Sequence, residues 1–354
     1  MPYKIDHLSF SLTDVCPITC RHCLTDCSNE KKETLDFELL KIFLEQTSRI
    51  LKIETIGITG GEPFYFFEYL VKVMKYIHEN YNYNIGIISN GFWASDFDVC
   101  KQKLSYLKKI GLNEIIISTD KYHQEFVPLN NISNILKVSE KLKFKVTLRH
   151  VYTNDSLTKD WMRNFYKAGF SEEKFHIIKE MEDNNIENKI LIENQPCLPL
   201  GRAKLCVLEN NIPIKKLDNN CKEVNSACFS VLKFIHMFCD GNISFCCGAF
   251  DVKSPLIQGN IREENFNEIL NKAFCSPIHN LLYLKGFSEI FEFLESSGFA
   301  LPKKSASMCH LCHLIFTNKD YSKALSSYLK KNALKYLIER EIYDNKYLKK
   351  RESV

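Results

Sequence analysis

The feature that most limits what this chain can fold into is a rhythm. Short aliphatic and β-branched runs alternate with longer amphipathic stretches up to about residue 180, at 8–12, 55–58, 85–88, 114–117, 146–148 and 175–178. Runs of this length that stay apolar rather than alternating suit strands buried on both faces. The stretches between them have helical periodicity. Leu35, Leu39, Ile42, Phe43 and Gln46 share one face, with Thr34 expected as N-cap and Asp36 in the first turn. One strand and one helix every ~30 residues is the pattern of right-handed βαβ units in a parallel sheet. Six units fall short of the eight in a closed barrel. The sequence therefore predicts an α/β fold, a partial (β/α)6 TIM-like barrel.

The rhythm breaks at the polar stretch 182–188, which reads as a loop, and most of the 15 cysteines follow residue 196. A boundary is expected within 190–215, giving a barrel core over 1–195 and a smaller cysteine-rich domain with terminal helices over 196–354. Within the latter, Asp240-Gly241 between apolar flanks is a hairpin signal. From Tyr321 onward the chain reads as helix with a solvated basic face of Lys330, Lys331, Lys335, Arg340, Lys349, Lys350 and Arg351.

A net charge of +4 over 354 residues is too weak to point to nucleic acid. No apolar run approaches the roughly 18–20 residues of a membrane span, and the opening residues lack a secretion signal. No membrane partner and a cytoplasmic location are expected. In that compartment clustered thiols mean metal or catalysis rather than disulfides.

Cys16, Cys20 and Cys23 follow the first run at spacings of four and three. A short loop so spaced can wrap three thiolates around one cuboidal iron–sulfur cluster and leave one iron without a protein donor. A zinc loop with Cys27 as fourth ligand is the plainer alternative. The other unusual motifs also sit at strand ends, the reactive face of an α/β barrel. They are Thr59-Gly60-Gly61-Glu62-Pro63, Ser89-Asn90-Gly91-Phe92-Trp93, Ser118-Thr119-Asp120-Lys121-Tyr122-His123, and Arg149. The paired glycines permit a turn close to a ligand, and Glu62 offers an acceptor for a ligand ammonium. Taken singly, each motif is equally a glycine turn or a strand-end cap.

Together these motifs resemble the radical S-adenosylmethionine (SAM) superfamily. The resemblance implies a [4Fe–4S] cluster on Cys16, Cys20 and Cys23, with SAM chelating the open iron and yielding a 5′-deoxyadenosyl radical on one-electron reduction. It places Gly60, Gly61 and Glu62 at the methionine amino group. Asn90, Ser118 and Asp120 would lie near ribose or carboxylate, Arg149 at the carboxylate, and His22 against adenine.

The C-terminal part holds Cys228, Cys246, Cys247 and the pair Cys309-His310-Leu311-Cys312. Cys228, Cys246, Cys309 and Cys312 would make a closed four-thiol site for a second cluster, or for zinc. Cys221, Cys239 and Cys275 are possible substitutes in that set, and Cys100, Cys197 and Cys206 read as ordinary buried or half-buried thiols. On a strand, Cys246 and Cys247 would point to opposite faces. One would bind metal while the other faced the barrel mouth, either as a hydrogen-atom donor or as a packed apolar side chain.

The order of these motifs, with the 281–287 stretch, resembles the radical SAM peptide epimerases that make epipeptides, with a twitch/SPASM-like auxiliary domain. That resemblance implies removal of a Cα hydrogen from a ribosomally made precursor peptide and return of hydrogen from Cys247, with an electron donor such as flavodoxin or ferredoxin. Other reactions stay open: peptide crosslinking or thioether formation, and epimerisation or dehydrogenation of a sugar. A metal-stabilised binding module without turnover is the non-enzymatic alternative.

Overall fold

The computed structural model describes residues 5–178, 189–217, 221–247 and 254–351, so the loop expected at 182–188 lies outside the described residues. The chain forms two compact units, each discontinuous in sequence. One comprises His7–Phe37 and Ile53–Pro213, the other Met1–Asp6, Glu38–Lys52 and Ile214–Val354.

The first unit is built on seven strands, β1 (His7–Thr13), β2 (Thr55–Gly60), β3 (Asn84–Ser89), β4 (Leu112–Ser118), β5 (Lys145–Tyr152), β6 (Phe175–Ile177) and β7 (Ile190–Pro196). All pair in parallel in the order β1-β2-β3-β4-β5-β7-β6. β1 and β6 do not pair with each other, so the sheet stays open rather than closing into a barrel. Aliphatic residues meet in register, Leu8 with Ile56, Ile87 with Ile115 and Ile117 with Leu148, which stacks one apolar layer across the sheet. All six expected strands are present.

The seventh, β7, joins between β5 and β6. Only its Ile190-Leu191-Ile192 start is aliphatic, and its Glu-Asn-Gln-Pro end hides it from a search for apolar runs. Chain-order labelling counts α1 (Phe37–Ile50) first, although its residues from Glu38 belong to the second unit. The helices of the first unit are α2 (Phe67–Asn80), α3 (Phe97–Lys109), α4 (Leu129–Leu142), α5 (Thr158–Lys167) and the single turn α6 (Ala203–Cys206).

Two features of this unit shape the strand ends. Gly60 has φ +124, and a Cβ there would stand 2.3 Å from the Thr13 carbonyl oxygen; one on Gly61 would stand 2.2 Å from that of Val15. The bare backbone lets Gly61 N–H donate to Thr13 (2.5 Å) and Glu62 N–H to Val15 (2.9 Å), so the turn after β2 lies directly on the start of the cysteine loop. Farther along, α4 turns two asparagines inward. Asn131 Nδ2 donates to the Phe92 carbonyl (3.0 Å) and Asn134 Nδ2 to that of Ala94 (2.9 Å), holding the turn after β3.

The second unit comprises α1, β8 (Lys215–Lys216), α7 (Lys222–Asn225), β9 (Phe234–Met237), β10 (Asn242–Ser244), β11 (Ile257–Asn260), α8 (Phe266–Cys275), α9 (Pro277–Lys285), α10 (Ser288–Ser296), β12 (Lys304–Ser305), α11 (Met308–Thr317) and α12 (Lys319–Arg351). The Asp240-Gly241 hairpin is present, with β9 and β10 antiparallel and Gly241 at φ +91. The core is aromatic. Phe43 of α1 meets Phe266 edge-on at 6.0 Å, and Phe245 stacks on Phe266 at 6.5 Å.

Two expectations need correction. α1 starts at Phe37, after Thr34, whose hydroxyl instead pairs with that of Thr13 (3.1 Å). The buried face of α1 is Leu39, Leu40, Phe43, Leu44 and Thr47, and Ile42 is exposed. On α12, Lys330 and Lys331 are solvated and Lys335 pairs with Glu289 (2.9 Å). Arg340, however, is 5% exposed and donates to the Phe274 carbonyl (2.7 Å). That carbonyl lies in the last turn of α8, and the buried guanidinium shares it with Asn280 Nδ2 (2.9 Å). The side chains of Lys349, Lys350 and Arg351 lie outside the described residues. Among the described residues no helix is long and apolar enough to cross a membrane.

Gly60 and Gly169 make a paired test, since both have positive φ but nothing lies within 4 Å of a Cβ on Gly169. Gly169→Ala should cost about 1–2 kcal/mol of backbone strain. Gly60→Ala adds collision with Thr13, so its urea midpoint should fall clearly further than that of Gly169→Ala.

Candidate functional site

The three-cysteine loop leaves the C-terminal end of β1 and is held at several points by backbone. Cys16 N–H donates to the Ser28 carbonyl (3.0 Å) and Cys23 N–H to that of Cys20 (3.2 Å). Cys16 and Cys20 are buried and Cys23 is half-buried. Burial pushes the Cys16 thiol up to about 12. The Cys23 thiol is lowered, chiefly by its hydrogen bond with Cys27. Cys27 is itself buried, with the Thr25 hydroxyl 3.2 Å from its sulfur.

The loop's main clamp comes from far along the chain. Arg202 donates from Nη1 to the Cys20 carbonyl (2.9 Å), from Nη2 to the Cys27 carbonyl (2.7 Å) and from Nε to Asp26 (2.9 Å). Its own N–H reaches the Cys23 carbonyl (2.9 Å). Gly201 permits the approach, since a Cβ there would lie 2.4 Å from the Leu24 carbonyl. Sequence reasoning missed this residue. Its one signal is the Pro199-Leu200-Gly201-Arg202 turn after an unrecognised strand.

The motifs at the other strand ends are arranged differently from expectation. Glu62 is 0% exposed, and its carboxylate accepts from Phe64 N–H (3.1 Å), Ser89 Oγ (2.8 Å) and Asn90 N–H (2.7 Å). Burial outweighs those donors and pushes it up to about 7. A carboxylate so enclosed ties the β2 and β3 turns together; it does not face a ligand ammonium. Ser89, which the sequence places in the motif without a role of its own, receives Trp93 Nε1–H (2.9 Å), and the indole stacks on Phe64 at 4.0 Å.

Asn90 turns its Nδ2 toward Cys16 Sγ (3.6 Å) while Oδ1 accepts from Phe92 N–H (2.9 Å). Asp120 is likewise 0% exposed. One oxygen accepts from the N–H groups of Tyr122 (2.9 Å) and His123 (3.1 Å), the other meets His123 Nδ1 (2.7 Å) and His22 Nε2 (3.2 Å). Burial would raise its carboxyl, but the two imidazoles hold it well below the usual range. It is a hub for histidines, and no oxygen is left for a ribose.

His22 packs beside Tyr122 with ring centroids 5.0 Å apart, and its Nδ1 is buried with no hydrogen-bond partner among the described residues. Ser118 ends β4 half-buried, in register with Arg149 of β5, whose Nε is fixed by Glu193 (2.9 Å). Three thiols on one gripped loop, beside a buried imidazole nitrogen that no described residue satisfies, fit an iron–sulfur cluster with a polar ligand next to it.

The second thiol set lies in the other unit. Cys309 and Cys312 are one turn apart at the start of α11, which Ser307 caps by accepting from His310 N–H (3.2 Å). Cys228 is anchored by its N–H to the Leu282 carbonyl (2.8 Å). Burial raises the thiols of Cys228, Cys309 and Cys312, and the three act on one another by charge. The opposite-face expectation for Cys246 and Cys247 fails, because β10 ends at Ser244 and the two cysteines lie in the turn beyond it. Period-two alternation holds only while a strand runs. The thiol of Cys246 is raised first by its hydrogen bond with Cys247, then by burial, and it senses Cys228 and Cys309. Cys247 is exposed and donates to Ser230 Oγ (3.0 Å).

Of the other cysteines, Cys221 bonds Glu223 (2.8 Å), Cys239 is buried and Cys275 is exposed at the end of α8. Cys100 and Cys197 are buried as expected, whereas Cys206 is exposed on the α6 turn.

Arg202→Ala removes three side-chain bonds to the cysteine loop. After anaerobic reconstitution it should retain about half the iron and sulfide of the parent, the auxiliary thiols keeping theirs. Arg202→Lys should not restore the loss, because a single ammonium cannot span the positions a guanidinium fork reaches.

Comparison with known proteins places these two thiol sets in recognised domains. Residues 10–153 match the radical SAM superfamily, and residues 228–313 match SPASM, an iron–sulfur cluster-binding domain. The chain is 25% identical over 329 residues to the putative peptide biosynthesis protein YydG of Bacillus subtilis, covering 92% of this chain and 96% of that protein. It is 31% identical over 142 residues to GTP 3′,8-cyclase of Clostridium perfringens, a match covering 38% of this chain and 41% of the cyclase. Among solved structures, anSMEcpe with bound AdoMet and Cp18Cys peptide gives a TM-score of 0.48 at 15% identity, over 93% of this chain and 99% of that one. Streptococcus suis SuiB bound to its precursor peptide SuiA gives 0.45 at 13% identity, over 76% and 65%. The cofactors are accordingly a [4Fe–4S] cluster, SAM and an auxiliary cluster. The chain thus carries a radical SAM domain over residues 10–153 and a SPASM iron–sulfur cluster-binding domain over residues 228–313.

Proposed function

We propose that the protein is a peptide-modifying maturase that inverts an L-residue of a ribosomally made precursor, with residues 1–195 as its SAM-handling core and 196–354 as its auxiliary-cluster part. Cys16, Cys20 and Cys23 hold the SAM cluster, and Cys228, Cys246, Cys309 and Cys312 the auxiliary cluster. With SAM bound and one electron delivered, the cluster supplies a 5′-deoxyadenosyl radical able to take a Cα hydrogen. His22, Ser118 and Arg149 are the groups that receive SAM. Glu62 and Asp120 act from behind, by fixing the turns on which those groups sit.

The observation that carries the reading is Cys247. It is an exposed thiol in excess of a four-ligand set, with its S–H oriented by Ser230 at 3.0 Å. A weak S–H bond makes it a hydrogen-atom donor to a Cα radical. The thiyl left behind needs one electron and one proton, which a low-potential protein such as flavodoxin or ferredoxin and solvent would supply. The near full-length similarity to a putative peptide biosynthesis protein supports a peptide substrate.

One observation favours a second reading. Cys247 bonds Cys246 and acts by charge on Cys228 and Cys309, as an auxiliary ligand would. A ligand Cys247 leaves no donor, and the enzyme would then oxidise its peptide by crosslinking or thioether formation. Turnover in D2O separates the two. Inversion should leave one deuterium at Cα and otherwise conserve mass, whereas oxidation removes two hydrogens. Cys247→Ala should still cleave SAM while forming no D-residue. A D-residue formed at the parent rate by that variant sinks the donor role.

A further inference from the structure

The two buried sulfurs of the three-cysteine loop each have a nitrogen donor held rigidly beside them. At Cys16 it is the Asn90 amide. Phe92 N–H pins Oδ1 at 2.9 Å, which settles the orientation and leaves Nδ2 directed at Cys16 Sγ, 3.6 Å away. Asn90 is itself 5% exposed, and its backbone is fixed by Glu62 (2.7 Å).

At Cys20 the donor is the His123 ring. Cys20 Sγ, one nitrogen of His22 and one of His123 lie within 4.8 Å of one another, so the His123 ring stands beside the Cys20 sulfur. The ring cannot swing away, because Asp120 takes both its Nδ1 (2.7 Å) and its backbone N–H (3.1 Å). The half-buried Cys23 meets Cys27 and the Thr25 hydroxyl (3.7 Å) instead of a nitrogen side chain fixed by a neighbouring turn.

We propose that Asn90 and His123, the latter buttressed by Asp120, are positioning residues that donate hydrogen bonds to the Cys16 and Cys20 sulfurs and so raise the reduction potential of the SAM cluster. The physical basis is general. Reduction adds negative charge that spreads onto the thiolate sulfurs, and a donor fixed in a buried setting stabilises the more negative state. Burial of Cys16 and Cys20 strengthens such bonds, because the surrounding dielectric is low. This assigns Asn90 and Asp120 a role toward the cluster rather than toward SAM. It rests on Cys16 and Cys20 being cluster ligands, but not on which reaction the radical performs.

The test is an anaerobic redox titration of the reconstituted full-length protein without SAM, followed by electron paramagnetic resonance, with the auxiliary cluster as internal reference. Asn90→Asp keeps the acceptor for Phe92 N–H and removes the donor; His123→Ala removes the ring. Each should shift the midpoint of the SAM-sensitive signal to lower potential and leave the auxiliary midpoint in place, and the double variant should shift it further. Either single variant holding full iron and titrating at the parent midpoint overturns the role of that residue. Loss of iron in His123→Ala together with an unshifted Asn90→Asp overturns the proposal as a whole, since the ring would then belong to the fold. Cys20→Ala serves as the control. Survival of the SAM-sensitive signal in it overturns the ligand assignment and the proposal together, whereas unshifted midpoints alongside its loss overturn the proposal alone.

Discussion

Two carboxylates without access to solvent organise the working end of the sheet. The turns that leave β2, β3 and β4 have no ladder to satisfy their amide hydrogens, and an unsatisfied buried amide costs about 1–3 kcal/mol. Glu62 and Asp120 answer that need with acceptor-only groups offering several lone-pair sites each. Glu62 takes amides from its own turn and from the next one, so two strand ends share one anchor. Asp120 takes two amides of its own turn and adds two imidazoles, one of them from the cysteine loop. Removing either would leave several donors unpaired at once, which is why these positions bear on the loop geometry as a whole.

The thiol loop itself has little regular structure and borrows rigidity from its neighbours. The paired glycines after β2 allow backbone to lie on backbone, and Arg202 ties down the opposite side through carbonyl oxygens. These devices grip the loop chiefly through its main chain, not through its sulfurs. Side-chain donors then approach the sulfurs from behind. A rigid first layer backed by a fixed polar layer is the arrangement expected where a cofactor does the difficult chemistry and the protein sets its position and surroundings.

Much of this was legible in the residues. Aliphatic runs announced six strands, the Asp240-Gly241 pair announced its hairpin, and the cysteine spacings marked both thiol sets. What stayed hidden has physical reasons. β7 is half polar, so it lacked the signal being sought. Glu62, Asn90 and Asp120 were recognisable as notable residues, but spacing reveals residue types and not which lone pair meets which donor. Their lone pairs turned out to be engaged by protein amides, a long-range matter. Arg202 had only the Pro199-Leu200-Gly201 turn before it as a local signature, since its partners lie in another part of the chain. The Cys246 and Cys247 expectation went astray for a narrower reason: the strand ended two residues early, and its alternation ended with it.

The Arg202 clamp has a consequence for biogenesis. The carbonyl of Cys20 waits 182 positions for the guanidinium that fixes it. During synthesis at about 5–20 residues per second, that interval lasts roughly 10–40 s. The thiols are thus made early, but the grip that shapes their loop arrives only after β7. The final shape of the thiol loop is therefore complete only once Arg202 has been made, and a nascent chain stalled before Gly201 would carry that loop without its clamp.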